Sequence, residues 1–434
     1  MSTTTVSTSA REAVGSACAD VRDAGESDLV DGVAPAVVAR PATTEQVAEV
    51  LRAAAGHGLT VVPRGHGTKL SWGMPPRSAD LVVDLSAMDQ VLEHAAGDLI
   101  VATQAGTRLR DLQDVVARGG QRLHLDETVP GASVGGTLAA NASGPARLTA
   151  GTARDLLIGL TVVRADGVVA KAGGRVVKNV AGYDLGKLLI GSAGTLAVVT
   201  EALFRLHPLP QARRWVTVEV GGPDRAAAVV QAAVHSQVVP GAVEVEWPVV
   251  GGRPAAGRGA DSVSSSVSVL LEGRQDAVDG RARTLATLLG AAATGSDTVA
   301  VGETAPEGWG AYPFGRDGER DTGLRLTFVL SGLAHVLGVA GSVGAHVRGS
   351  AGSGVVHAAL PAGMPTEEVV TAVHRLRAAA RRHEGHAVVV DAPPAVKQAV
   401  DLWGPVPALD LMRRVKDQFD PDHRLSPGRF VGGI

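Results

Sequence analysis

The sequence predicts an α+β protein of two domains behind a short N-terminal tail, and three observations carry that prediction. From Pro35 to about Pro210, short β-branched runs alternate with short helical patterns. Beyond Pro210, strand-like runs are separated by Ala-rich helical patterns, the signature of an antiparallel sheet with helices on one face. Between them, His207-Pro208-Leu209-Pro210 fixes backbone angles and removes donors, so neither helix nor strand runs comfortably across it. The expected division is a poorly ordered tail over 1–28, a first domain over 29–208 and a second over 209–434.

The elements follow in chain order. The first 28 residues are rich in Ser, Thr and Ala and lack the apolar core of a signal peptide. Thr43 is a plausible helix N-cap with Gln46 three residues later, and Val47, Val50, Leu51 and Ala54 follow at helical spacing until Gly56 or Gly58. Leu59 to Pro63 reads as a strand that delivers the chain into a glycine loop. Further strands are expected at Leu81 to Leu85 and Leu99 to Ala102, and then a helix capped by Thr107 that buries Leu109, Leu112 and Val116 before Gly119-Gly120. In the second half, strands are expected at Trp215–Val220, Val243–Trp247, Ser264–Leu271, Leu324–Leu330, Gly354–Leu360 and Ala387–Val390. Helices are expected at Gly221–Val239, Asp276–Gly290 and Pro365–His383, and loops over 251–262 and 302–323.

Composition narrows the function classes. Lys+Arg 41 against Asp+Glu 44 gives a net charge of -3, which offers no basic field for nucleic acid or an anionic membrane. No stretch approaches the roughly 18 uninterrupted apolar residues of a membrane span, so direct insertion is not expected. The single cysteine, Cys18, excludes an intramolecular disulfide framework, a Cys-rich zinc site and an iron–sulfur cluster held by this chain alone. A reducing cytoplasm is the expected compartment, with membrane association only through partner subunits.

Four glycine-rich clusters carry the chemistry. In Pro63-Arg64-Gly65-His66-Gly67-Thr68, successive amides can turn to one side and form a concave anion site, which Arg64 and Thr68 can supplement; a tight turn explains the same residues equally well. In Pro130 to Gly144, Pro130 and Gly131 make a turn and Ser133 caps a short helix. Gly135, Gly136, Ala139 and Ala140 then leave that helix backbone uncovered, either for a flat or anionic ligand or for close packing in a core. Gly151-Thr152-Ala153-Arg154-Asp155 precedes the strand Ile158 to Val163. The fourth cluster runs from Lys178 to Leu185 and closes with Gly191 to Glu201.

In this order and spacing the clusters resemble the FAD-binding domain of the vanillyl-alcohol oxidase type, also called PCMH-type, over about Pro35 to Pro210. The resemblance implies an FAD domain of two α/β subdomains followed by an α+β cap with an antiparallel sheet. It implies that Pro63, Arg64, Gly65, His66, Gly67 and Thr68 hold the FAD pyrophosphate, and that Pro130, Gly131, Ser133, Val134, Gly135, Asn141 and Gly144 contact pyrophosphate and isoalloxazine. Gly151, Asp155 and the backbone near Val199 match positions lining the flavin or adenine. Phe419 to Phe430 looks like the family's closing segment, which returns to the FAD domain, with Ser426 where Asn is usual. Covalently flavinylated relatives carry a histidine four residues after the loop arginine; here that residue is Thr68, so the FAD is expected to be non-covalent.

More narrowly, Lys178 to Leu185 and the reduced C-terminal half resemble the FAD-binding subunit of bacterial glycolate oxidase, a complex with a second flavin subunit and an iron–sulfur subunit. That implies a small 2-hydroxy-acid substrate, with hydride passing to flavin and a base taking the hydroxyl proton. The Gly-Asp-Gly-Asn stretch of the metal-associated motif in the catalytic partner is missing, so no metal site is expected. His357, His383, His386 and Arg325 could each face the flavin, but each is read as a surface or satisfied core side chain, and no catalytic residue is assigned. Arg381-Arg382 and Arg413-Arg414-Lys416 read as solvated helix faces, and Trp247, Trp309 and Trp403 as packing residues. Two alternatives stand beside this reading: a self-contained oxidoreductase of a sugar, alditol or other hydroxyl substrate, and a flavin-binding assembly subunit that does not turn over.

Overall fold

The computed structural model describes residues 6–174, 184–248, 264–292, 298–315 and 320–434. The chain divides into two units, the first formed by Met1–Ser143, Gly151–Leu209 and Pro405–Ile434, the second by Gly144–Ala150 and Pro210–Gly404.

The first unit holds two sheets and a ribbon. Strands β1 (Val21–Asp23), β2 (Val37–Ala39), β3 (Val61–Arg64) and β4 (Leu81–Asp84) form a four-stranded sheet in the order β1-β2-β4-β3, parallel except at β1. Strands β5 (Val91–Ala95), β6 (Ile100–Gln104), β8 (Leu157–Arg164), β9 (Val169–Gly173) and β10 (Ala197–Arg205) form an antiparallel sheet in the order β5-β6-β10-β8-β9. The short β7 (Gln121–Arg122) pairs with β11 (His207–Pro208).

The N-terminal tail corrects one expectation. Helix α1 (Thr8–Ala17) forms behind Ser7, whose hydroxyl accepts from the Ala10 amide at 3.2 Å, and it buries Ala10 and Val14. With Cys18, these side chains join one core with Val47, Val50 and Leu51 of helix α2 (Thr44–Gly56) and with Val61 and Leu81. A Ser/Thr/Ala composition hides this stripe, because alanine contributes little hydrophobic signal while still packing closely. Helix α2 starts as expected: the Thr43 hydroxyl accepts from the Gln46 amide at 3.2 Å, and Gln46 Oε1 accepts from the Ala42 amide at 2.7 Å. Helix α3 (Leu109–Ala117) buries Leu109, Leu112 and Val116, but Arg108 occupies its N-cap, and the Thr107 hydroxyl instead bonds Thr103 Oγ1 at 2.8 Å.

The C-terminal segment returns to this unit. Leu425 bridges in parallel to Val61, with the Val61 amide donating to the Arg424 carbonyl and the Ser426 amide to the Val61 carbonyl, both at 2.8 Å. Lys416, expected on a solvated face, is fully buried: its ammonium donates to the Thr195 carbonyl (2.7 Å), to Asp420 Oδ2 (2.6 Å) and to the Leu425 carbonyl (3.0 Å). Burial lowers the Lys416 pKa, and the bond to Asp420 opposes that shift.

The second unit is an eight-stranded antiparallel sheet. It is built from β12 (Ala212–Glu219), β13 (Ala242–Trp247), β14 (Ser266–Gly273), β15 (Val299–Gly302), β16 (Thr322–Thr327), β17 (His346–Ser350), β18 (Val355–Leu360) and β19 (Ala387–Asp391). The spatial order is β15-β12-β14-β13-β17-β18-β16-β19. Alternation separates its faces: Val216, Val218, Val243, Val245, Val267 and Val269 are buried on one, while Thr217 bonds Ser268 at 2.9 Å on the other, in register with Glu244. The helix Pro223–Val234 packs between Gln275–Ala292 and Leu333–Ser342, and the latter also packs on Thr366–Arg382, which makes one continuous helical layer. The sequence reading missed β15, β17 and the helix Leu333–Ser342; the expected loop 251–262 lies outside the described residues.

Candidate functional site

In the first unit, three of the four glycine clusters and the closing segment come together around the end of β3. The loop Gly65–Thr68 leaves β3 and crosses the start of helix α4 (Val134–Ala140) so closely that a Cβ on Gly65 would lie 2.1 Å from Ser133 Oγ. Ser133 caps α4, its hydroxyl accepting from the Gly136 amide at 3.1 Å. The Gly135 amide donates to the Ala105 carbonyl at 2.7 Å, and a Cβ there would meet Ala105 Cβ at 2.9 Å. Gly194, with φ +72, comes so near Pro63 that a Cβ would lie 2.9 Å from the proline ring and 3.4 Å from Ser426 Oγ. The Gly191 and Ala193 amides donate to the Leu138 and Ala139 carbonyls of α4, both at 2.9 Å. Glycine here is a steric requirement: the backbone segments lie closer than any side chain permits.

The side chains around this junction divide into those used up by the fold and those left open. Arg64, expected to supplement an anion site, is committed elsewhere: its guanidinium donates to Asp28 Oδ1 at 2.9 Å and to Asp84 Oδ2 at 2.6 Å. Arg22 also grips Asp28 at 2.6 and 2.7 Å, and with the Gly25 amide and Arg64 it holds that carboxyl far below the usual range despite burial. Arg64 therefore fixes the exit of β3, and the Thr68 hydroxyl accepts from the Lys69 ammonium at 3.4 Å. His66 Nε2 lies 2.9 Å from the Gly106 carbonyl, and the Gly131 amide donates to Glu127 Oε1 at 2.9 Å. At this junction lie two of the buried polar atoms that have no hydrogen-bond partner among the described residues: Asn141 Oδ1 at the left-handed C-cap of α4 (φ 48), and Ser426 Oγ on a left-handed residue (φ 45). Buried polar groups are almost always satisfied, so such atoms at one junction mark a place for a polar ligand. Burial also pushes the Lys69 ammonium, next to Thr68, down to about 8, with Glu127 opposing the shift.

The remaining candidates are placed as follows. Gly151 has φ +75 and abuts Asp155, whose Oδ2 accepts from the Thr152 amide at 2.8 Å in a capping box; this turn of helix, Ala153–Leu156, packs on α4. Val134 is buried, Val199 half-buried beside a bulge in β10, and Pro130 precedes the left-handed Gly131. Gly144 belongs to the second unit. Lys178 to Tyr183 lies outside the described residues. In the second unit, His357 is buried on β18 opposite Arg325 on β16, His383 lies 3.0 Å from His335 Nδ1, and His386 is exposed. Among the described residues no three metal-ligating side chains cluster. Sequence reasoning missed Asp28, Asp84, Lys416 and Asp420; only the four-residue spacing of the last two was a local signal.

Residues 35–173 match the family model described as an FAD binding domain. An uncharacterized FAD-linked oxidoreductase of Mycobacterium tuberculosis is 36% identical over 210 residues, covering 48% of this chain and 46% of that protein. The glycolate oxidase subunit GlcD of Bacillus subtilis is 34% identical over 211 residues (48% and 45%), and a D-lactate dehydrogenase of Archaeoglobus fulgidus is 38% identical over 172 residues (40% and 39%). These matches span less than half the length of each curated relative. Substrate-bound p-cresol methylhydroxylase superposes with a TM-score of 0.74 at 17% identity, over 97% of this chain and 96% of that one. An alkyldihydroxyacetonephosphate synthase gives 0.65 at 16% identity, over 91% and 76%. The fold is thus the PCMH-type one, α+β with antiparallel sheets beside one mostly parallel four-stranded sheet.

Proposed function

With an FAD binding domain as the premise, we propose that this chain is an FAD-dependent oxidoreductase of CH–OH groups, working as the FAD-binding subunit of a glycolate or 2-hydroxy-acid oxidase complex. The observation that carries the reading is the match of residues 35–173 to an FAD binding domain, beside two buried side-chain oxygens, Asn141 Oδ1 and Ser426 Oγ, that no described residue satisfies at the junction of Gly65, Ser133, Gly135 and Gly194. The residues fit the cofactor: the Gly65–Thr68 amides suit its pyrophosphate, while Asn141 Oδ1 and Ser426 Oγ offer an acceptor and a hydroxyl to its polar edge. When bound, FAD supplies the two-electron acceptor for an alcohol carbon, and the chain positions both reactants. Thr68 cannot form the bond that a histidine would, which favours non-covalent FAD. Curated relatives named for glycolate, D-lactate and D-2-hydroxyglutarate support a 2-hydroxy acid.

The cysteine count bears on a complex only where electrons leave this chain toward an iron–sulfur cluster. Cys18 is the one cysteine and it is buried in the α1–α2 core, so onward electron flow through iron–sulfur chemistry needs ligands from another protein. No helix among the described residues is long and apolar enough to cross a membrane, so any membrane association in this reading comes through those partners. The test is acid precipitation of the purified chain: soluble FAD is expected in the supernatant, and flavin retained on the pellet would refute the non-covalent assignment. Anaerobic addition of glycolate, D-lactate or D-2-hydroxyglutarate should then bleach the flavin of the chain or of its reconstituted complex. If none of the three bleaches either preparation, the substrate assignment fails.

A further inference from the structure

Across four central strands of the second unit runs one polar rung. Register places Glu246 of β13 opposite Arg348 of β17, Arg348 opposite His357 of β18, and His357 opposite Arg325 of β16. Directly paired residues of an antiparallel sheet project from the same face, so four polar side chains line up on the face opposite the helical layer. Their charges do not balance. Glu246 accepts from Arg348 Nη2 at 2.9 Å and through Nε, and it bonds His346 Nε2 at 2.7 Å. Arg325 has no hydrogen-bond or ion-pair partner among the described residues, and the rung therefore carries one guanidinium more than its carboxylate answers.

What covers the rung is aromatic. The Tyr312 ring lies 4.1 Å from that of His357, and Phe314 stacks on Tyr312 at 5.5 Å. Phe314 also sits over Gly323, two residues before Arg325, where a Cβ would come within 2.4 Å of its ring. At the other end, Gly308 (φ +72) passes Arg348 so closely that a Cβ would lie 2.5 Å from Nη1. That Nη1 is buried without a hydrogen-bond partner among the described residues, on a side chain only 4% exposed. A cation beside apolar rings, with a second unsatisfied guanidinium nitrogen on the same rung, is a place built for an anion.

We propose that this corner of the second unit binds a small carboxylate, with the Arg325 guanidinium taking the carboxylate group and the His357 imidazole accepting a hydrogen bond from a neighbouring 2-hydroxyl. This deepens the reading of the chain as a 2-hydroxy-acid oxidoreductase and rests on it for the hydroxyl. The imidazole is suited to accept: burial first, then the charges of Arg325 and Arg147, hold the His357 pKa well below its ordinary 6.5, so the ring is neutral near pH 7. The groups around it are those of the rung, Arg147, and the Tyr312 and Phe314 rings. A bound anion beside the ring raises that pKa, which gives a signature that simple packing of His357 does not.

The experiment is calorimetric titration of the full chain with glycolate, run beside measurement of its FAD content and with 15N-histidine NMR of the same protein. Glycolate is expected to bind, Arg325→Gln to weaken it by about tenfold or more, and Arg325→Lys to restore part of the loss. The His357 ring resonances should titrate at higher pH in the presence of glycolate than in its absence, and the shift should vanish in Arg325→Gln. Equal binding by parent and Arg325→Gln, or no binding to an FAD-loaded parent, would overturn the carboxylate site and leave the FAD reading intact. A chain that binds glycolate through Arg325 but holds no FAD would overturn the oxidoreductase reading instead.

Discussion

Replacing Lys416 by Met removes the cation that ties the C-terminal segment to the first unit. Lys416 and Asp420 are both fully buried, and the ammonium donates to Thr195, Asp420 and Leu425. Without it, Asp420 Oδ2 keeps only the Leu425 amide at 2.7 Å, and Oδ1 has no partner among the described residues. Breaking a buried pair from one side costs about 3–5 kcal/mol, because the remaining charge is uncompensated. The size follows from the carboxylate left behind more than from the bonds lost. A double variant, Lys416→Met with Asp420→Leu, should therefore recover a large part of the loss. Urea unfolding followed by near-UV circular dichroism reads both. A single-variant loss under about 1 kcal/mol, or a double variant less stable than the single, would refute the reasoning.

Glu246→Gln should cost roughly 3 kcal/mol at pH 7, since Glu246, which burial alone would push up, is held at about 2 by His346 and Arg348 against an ordinary 4.5. The folded pKa lies below the unfolded one, so this stability is present above about pH 5 and disappears as pH falls toward 2; urea midpoints of the two proteins should converge over that range, and a constant gap would count against the assignment. Val14→Asp should destabilise the chain by about 2 kcal/mol or more by placing a carboxylate in the α1–α2 core, whereas a disordered tail would leave thermal unfolding unchanged. Gly65→Val should abolish FAD retention, because its Cβ already overlaps Ser133, while circular dichroism stays near that of the parent; flavin content at the parental level would sink the placement of the cofactor.

How much was legible depended on sequence distance. The α2 cap was readable because Thr43 and Gln46 answer each other within one turn, and the strands β12, β13, β14, β16, β18 and β19 because a short apolar or alternating run is a local signal. The role of Arg64 was not readable, since its carboxylates come from 36 and 20 residues away. The same limit hid Lys416: arginines beside it on the helix Leu409–Phe419 point to solvent, and only the return of Leu425 to β3 explains why this one cation is buried. Helix α1 was missed because its stripe is Ala10, Val14 and Cys18, too weakly apolar to stand out among serines and threonines. For the candidate site, glycine spacing revealed which loops matter, and the fold revealed which of their side chains are spent. The rung of Glu246, Arg348, His357 and Arg325 crosses four strands drawn from between residues 246 and 357, and no local pattern announces it.

The central claim is that the Gly65, Ser133, Gly135 and Gly194 junction holds FAD without a covalent bond, and the visible spectrum of the purified full chain tests it most directly. A flavin absorption band at about one FAD per chain, released by acid and lost in Gly65→Val, is expected. A colourless parent after reconstitution with excess FAD, or flavin that stays with both parent and Gly65→Val, would contradict it.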